Sequence, residues 1–502
     1  MGVSIKTAKK IGLFAAISIL IGSIIGIGIF FKNNTVFQNN DNNAIGVLIS
    51  WILASIISLA TAYSFSEIGF NHRNGAGIGG AAEKHFGHKF GRFISFNNSF
   101  FYFGILNLAV AIFSAESIVN IFMKDQNITI HMAAVMVIGL ALIFIFIVFN
   151  YLSLKWSTRF QIVSTILKFI PLSMVAIAGL VYGIMNPELS LFNSNDPTQQ
   201  GPLSINGILS SIPAILFAYD SFLGVAALQG EMENPRKKVP LTIVIGMGIC
   251  IFMYLFVTIG QIMVSSGTAY GVFQTIFANN PTASNAFTIV ISVFILICVL
   301  GVLNSLVLVS LRANVYAIRH RIYYGYWWFD KMGNSDLKVG MYVAFFVYTF
   351  WWVILMIPSA ILNTDGFVDG ISNFPTLFMF AIYGTIVLKG FINRFNKKVH
   401  VMKMPGFMII APIAIIGCYL AFGYQFFYFF SIHAFLNPFE KINWGLFATG
   451  TYTIKAYMGS ICFLSMLLGF CVLPIINDSL LKLRYKKMKL SKNNLLVKEL
   501  LF

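Results

Sequence analysis

Apolar residues run along this chain in long unbroken blocks, not in the alternation of strands or the narrow stripes of soluble helices. Twelve blocks are long enough to cross a bilayer as helices, which takes about 20 apolar residues at about 1.5 Å rise each. They cover residues 11–31, 44–66, 92–122, 131–149, 160–183, 206–230, 239–265, 286–312, 339–362, 367–388, 405–430 and 452–476, numbered in this order as spans one to twelve. The pattern predicts an all-α polytopic membrane protein.

Two of these spans carry interruptions. Span one contains Gly22-Ser23-Ile24-Ile25-Gly26-Ile27-Gly28-Ile29-Phe30. Each glycine inside a helix costs roughly 1 kcal/mol against alanine, so three within seven residues predict a helix that breaks. A break at membrane depth frees carbonyls at the end of one half-helix and amides at the start of the next. It is tolerated only where those groups line a protein-enclosed cavity. Carbonyls suit a cation and helix-start amides an anion, so the two together match a zwitterion such as a free amino acid. Close helix packing through Gly22-x-x-x-Gly26 is the competing reading. Span six contains Phe217-Ala218-Tyr219-Asp220-Ser221-Phe222-Leu223-Gly224, with Pro213 one turn earlier. Asp220 and Ser221 suit the N-cap of a resumed half-helix. Spans one and six run in opposite directions. Interrupted helices at matching positions of two oppositely oriented halves point to a transporter binding site.

Composition agrees with the block pattern: 58% of the 502 residues are hydrophobic and only 10% charged, against about 25% charged in soluble domains. The net charge of +17 raises nucleic acid as a partner, but its placement excludes that class. Taking alternate loops from the N-terminal segment, one side collects all of the 34 Lys and Arg except Lys32, Lys124, Lys168, Lys441 and Lys455. This is the positive-inside asymmetry, and it predicts both termini in the cytoplasm of a cell-membrane protein. The basic tail, 477–502, is also suited to anionic lipid headgroups. Lys6, Lys9 and Lys10 precede a run too long for a cleaved signal, so span one is expected to be retained. The cysteines Cys250, Cys298, Cys418, Cys462 and Cys471 lie in apolar spans without paired spacing and are expected to pack, not to bridge.

Further polar positions are fewer. Gly75, Gly77 and Gly80 fit G-x-G-x-x-G, but no strand precedes them, so close loop packing is expected in place of nucleotide binding. His85 and His88 lack a third ligand and are expected to be solvated. Asn107 in span three suits an interhelical hydrogen bond or a pathway lining. Lys168 in span five is the one lysine expected inside a helix, about 12 Å from its cytoplasmic start. Gly22 reaches about 16 Å from the start of span one, so the ammonium can meet the carbonyls there. Snorkelling to the headgroups is the alternative; an intramembrane ionisable residue is a functional candidate by default.

The glycine stretch of span one, the Phe217–Asp220 break, Glu231-Met232-Glu233-Asn234-Pro235-Arg236 with Pro240, and the Arg312–Tyr316 segment together resemble the amino acid–polyamine–organocation transporters. The resemblance implies a LeuT-type fold, with spans one to five and six to ten (about 11–183 and 206–388) as inverted repeats. Spans eleven and twelve, within 389–476, are additional. It implies that the amides of Gly26, Ile27 and Gly28 take a substrate carboxylate. The carbonyls of Ile24, Phe217, Ala218 and Asp220 would take its amino group, with Ser23, Tyr219 and Ser221 beside them. Phe217 matches an aromatic lid, and Lys168 matches a lysine that stands in for sodium in sodium-independent members. The loop at 73–77 departs from the family pattern, which touches the cytoplasmic gate and not the fold.

The expected function is secondary active amino acid transport by alternating access, sodium-independent, as proton-coupled symport or exchange. A cationic amino acid or polyamine antiporter is the alternative, with Asp220 as counter-ion. A channel or a non-transporting amino acid sensor is the rival class. No nucleophile with its base, metal cluster or cofactor motif suggests an enzyme. Which amino acid is carried and the oligomeric state stay open.

Overall fold

The computed structural model describes residues 12–26, 28–68, 77–123, 130–193, 200–222, 232, 234–395, 403–447 and 450–491. The amides of Ile27, the loop at 73–76, and Leu223, Gly224, Glu231 and Glu233 lie outside the described residues. Among those described, ten helices are long and apolar enough to cross a membrane, and a bent pair makes up to eleven. They coincide with spans two to five and seven to twelve. Span one is the bent pair, and span six contributes the shorter apolar helix Ile205–Tyr219. The expected count of twelve is therefore not confirmed among the described residues, because residues 223–230 of span six lie outside them.

Packing between spans follows a rule of five. Span one packs on span seven and span two on span six; exchanging each number with its partner five away maps one contact onto the other. The same exchange relates the packing of spans three and nine to that of four and eight. It relates five with one to ten with six, and five with seven to ten with two. Such closure is what two oppositely oriented five-helix repeats produce. Spans one, two, six and seven form one group and spans three, four, eight and nine another. Large apolar side chains such as Ile145, Ile357, Ile361, Ile409 and Ile461 point outward from the bundle, as a lipid-facing surface requires.

Several boundaries moved. Residues 452–455 are not helical: Lys441–Phe447 and Gly450–Lys455 form an antiparallel hairpin with Lys441 opposite Lys455. The alternation Thr451-Tyr452-Thr453-Ile454, rich in β-branched residues, favours a strand there. Span twelve begins at Ala456 and continues to Ser491, so the expected basic tail is helical over its first part. Asp478 in that extension pairs with Arg92 at 3.0 Å, and Arg484 stacks on Trp327. Gly77–Phe86 is a helix, in which a side chain on Gly79 would overlap Ser95, so this glycine serves close packing. His85 is not solvated; it is buried and shares a hydrogen bond with Asn393 at 3.0 Å. Asn107 donates to the Tyr348 hydroxyl at 2.5 Å, an interhelical bond. Cys250, Cys298 and Cys418 are buried, whereas Cys471 is exposed.

Candidate functional site

The helix of span one, Leu13–Ile24, stops where the glycines begin: Ile25 is extended at φ −68° and ψ 110°. The chain resumes as a single wide turn, Gly28–Lys32, and then Asn33–Asn39. The stretches Ala16–Phe30 and Asn33–Asn39 differ in direction by 48°. In span six the helix ends at Tyr219; Asp220 is extended and Ser221 takes a positive φ of 75°. Asp220 thus ends one helix; the residues from 223 on, which it was expected to cap as a resumed half-helix, lie outside the described residues.

The two breaks meet. A side chain on Gly28 would overlap Ala218, one on Gly26 would overlap Val302 of span eight, and one on Gly22 would overlap Thr165 of span five. The glycines therefore permit close approach as well as a break. Between the breaks stands Tyr254 of span seven, fully buried. Its hydroxyl lies 3.0 Å from the Ile24 carbonyl and 3.3 Å from the Ala218 carbonyl, and can donate to either. The Gly26 amide points at the same hydroxyl oxygen. Tyr254 is held by an edge-to-face contact with Trp51, at 5.5 Å between ring centres, and by a tilted ring contact with Tyr219 at 5.1 Å. The Tyr219 hydroxyl accepts from Ser55 at 2.8 Å, so its ring belongs to this aromatic wall.

Other expected residues separate into near and local. The Phe217 carbonyl accepts from the Asp220 amide at 3.3 Å, within its own turn. Ser23 donates to Leu20 of its own helix at 2.8 Å. The Asp220 carboxylate accepts from the Ser221 amide at 2.8 Å and from Thr376 of span ten at 3.0 Å. Tyr102 of span three also faces it. Three neutral donors from three elements hold this buried carboxylate at the edge of the break.

Lys168 does not snorkel. It is fully buried, and Nζ donates to the Gly22 carbonyl at 2.6 Å. Gly301 of span eight lets the same helix approach, since a side chain there would overlap Ser164, one turn before Lys168. The carbonyl end of a half-helix carries partial negative charge, and an ammonium there is favourable.

Lys32 is a correction. It was counted in a loop on the side opposite the basic one, and Lys168 was expected to be the one lysine inside a helix. Lys32 is fully buried and ion-paired with Asp369 in the first turn of span ten. It also donates to Ser372 at 3.1 Å and sits 4.6 Å from the centre of the Phe217 ring. The pair ties the far half of span one to span ten directly above Phe217. Lys32, Asp369, Tyr254, Tyr102 and Thr376 were missed. Lys32 carried no local signal, since it ends an apolar run as a headgroup lysine does, and Tyr254 had none in an otherwise apolar span.

The profile of a family described as amino acid permease matches residues 11–454. The serine/threonine exchanger SteT of Bacillus subtilis (strain 168) is 26% identical over 308 residues, covering 60% of this chain and 66% of that protein. The cadaverine/lysine antiporter of Escherichia coli (strain K12) is 27% identical over 296 residues, covering 56% and 62%. The human cystine/glutamate transporter (Homo sapiens) is 26% identical over 296 residues, covering 57% and 54%. In each case the matched part is less than two thirds of the relative's length. Among solved structures, MhsT in complex with L-phenylalanine has a TM-score of 0.51 at 14% identity, covering 82% of this chain and 98% of its own. That likeness is one of fold.

Proposed function

The chain belongs to the amino acid permease family, and from that premise we propose that it is a secondary active amino acid transporter working by alternating access. One observation carries the proposal: the helix ends of spans one and six face one another across the Tyr254 hydroxyl. A hydroxyl that meets an amide and two carbonyls supports a small volume offering both polarities. A zwitterion needs both. The substrate carboxylate would go to the amides of Gly26, Ile27 and Gly28. Its ammonium would go to the carbonyls of Ile24, Phe217, Ala218 and Asp220, with Ser23, Tyr219 and Ser221 bordering them. Phe217, held under Lys32, would cover the substrate, and the Lys32–Asp369 pair would keep that end of the bundle closed. Opening requires this pair to part, which gives the two-state element that alternating access needs.

Transport is sodium-independent in this reading, because Lys168 already supplies a positive charge to the Gly22 carbonyl. Energy then comes from a proton gradient or from exchange. The protein sits in the cell membrane with both termini in the cytoplasm, the side on which the basic loops gather. A second reading, a cationic amino acid or polyamine antiporter, is favoured by the buried Asp220 carboxylate at the break. The relatives include exchangers named for neutral and for cationic substrates, so they support amino acids as a class.

The test is reconstitution of the purified protein into liposomes after a thermal-shift screen against the amino acids and common polyamines. A ligand that binds the folded state raises its stability by RT ln(1 + [L]/Kd). Saturable uptake that is stimulated by the same amino acid inside the vesicle supports a carrier. A channel gives no such stimulation, and a sensor binds without uptake.

A further inference from the structure

Three carboxyl groups lie together at the end of the bundle where Lys32 sits. Glu116 is near the end of span three, Asp365 immediately precedes span ten, and Asp369 is in its first turn. Relative exposures are 6%, 1% and 1%. Lys32 is engaged by Asp369 and Ser372. No N–H or O–H donor among the described residues reaches either oxygen of Glu116. What faces it at hydrogen-bonding range is the Asp365 carboxyl, with Asp369 next and Tyr270 of the Ala269–Ile276 helix on another side. Thr364 adds a long contact of 3.5 Å to Asp365.

Two carboxylates in contact and out of water cannot both carry charge, whereas one proton between them turns repulsion into a hydrogen bond. Among the described residues no group of three or more His, Cys, Asp or Glu is arranged to hold a metal ion. The chemistry fits a proton. Position links this pair to closure, because Asp365 and Asp369 are one helical turn apart and Asp369 binds Lys32 over Phe217.

We propose that Glu116 and Asp365 form a proton-binding site, and that closing this end of the transporter requires the pair to hold a proton. The inference rests on the alternating-access reading. When spans one, three and ten separate at this end, water reaches both carboxyls and either state is solvated. On closing, one proton is taken from the medium on that side and held as the O–H of one carboxyl donating to the other. On reopening it returns to water. No net proton movement across the membrane is required.

The test has two arms on the purified full chain. In the infrared, the wild type at neutral pH is expected to show the C=O stretch of a buried protonated carboxyl, part of which is lost in Glu116→Gln and in Asp365→Asn. Gln and Asn keep the shape and can donate to the remaining carboxylate, so both variants are expected to fold. In liposomes, initial exchange of the amino acid giving the largest thermal shift is expected to fall as the medium on that side is made alkaline. Glu116→Gln is expected to lose that dependence while still binding the amino acid. An infrared band unchanged in both variants, an unaltered pH profile in Glu116→Gln, or restoration by added sodium or calcium in place of acid would overturn the proposal. Failure of the wild type to bind or exchange any amino acid would instead remove the transporter reading, leaving the infrared result to stand for the proton site itself.

Discussion

The Lys168 ammonium lies 2.6 Å from the Gly22 carbonyl, with both groups buried in the middle of the bundle. A cation from span five thus neutralises the free end of a half-helix in span one. Hydrogen bonds to charged groups contribute about 1.5–3 kcal/mol. Lys168→Ala should therefore lower initial uptake on the order of tenfold to a hundredfold, and wild-type uptake should not need external sodium. Measuring initial rates with and without sodium in both proteins checks this. Normal transport in the variant, or a steep sodium requirement in the wild type, contradicts the assigned role.

Gly26 allows packing and substrate approach to be separated. Gly26→Ala should destabilise the protein, because the added methyl overlaps Val302; overpacking costs about 1–3 kcal/mol. Val302→Ala in the same chain removes the overlapping carbons and should recover most of the thermal stability. If the amide beside Gly26 receives a substrate carboxylate, the stable double variant should still bind weakly. Wild-type affinity in that protein would leave Gly26 with packing alone.

Asp220→Asn distinguishes two uses of one carboxylate. Asn keeps one acceptor oxygen for the Ser221 amide, and its NH2 can donate to the Thr376 hydroxyl oxygen, so stability should change little. Binding of lysine, arginine, ornithine or polyamines should disappear, while binding of neutral amino acids persists, if the carboxylate is a counter-ion. The readout is the pattern of thermal shifts across ligands. An unchanged pattern assigns Asp220 to holding the break.

Tyr254→Phe removes the hydroxyl shared by the two breaks and leaves carbonyls of Ile24 and Ala218 without this donor. Buried groups deprived of a partner cost about 1–3 kcal/mol. A lowered melting temperature together with altered amino acid affinity is expected. A melting temperature equal to wild type would mean that water replaces the hydroxyl fully.

Lys32→Met should be among the most destabilising single changes, since it strands the Asp369 charge in the interior. Breaking a buried pair by removing one partner costs about 3–5 kcal/mol. Lys32→Met combined with Asp369→Leu should recover stability, as apolar replacement of both partners often does. Thermal unfolding of the single and double variants measures the difference.

The sequence by itself determined the membrane class, the positions of the spans and the two places where helices stop. Those properties are local: block length decides whether a segment crosses a bilayer, and glycine density or an Asp-Ser pair decides where a helix fails. The depth of Lys168 was legible too, because helical rise converts residue number into distance along an axis. Sequence could not place Lys32, which ends an apolar run just as a headgroup lysine does. Its burial depends on Asp369, more than three hundred residues away, arriving on span ten to accept it. Nor could it single out Tyr254 from the apolar residues of span seven, since a hydroxyl gains meaning only when two helix ends converge on it. The dual part played by the glycines was decided by tertiary structure as well. The same absent side chain lets a helix break and lets Ala218 and Val302 come close, and only the packed neighbours reveal the second role. Local chemistry sets what each segment can do; the partners that cancel a buried charge or satisfy a freed carbonyl come from elsewhere in the chain, and folding alone brings them there.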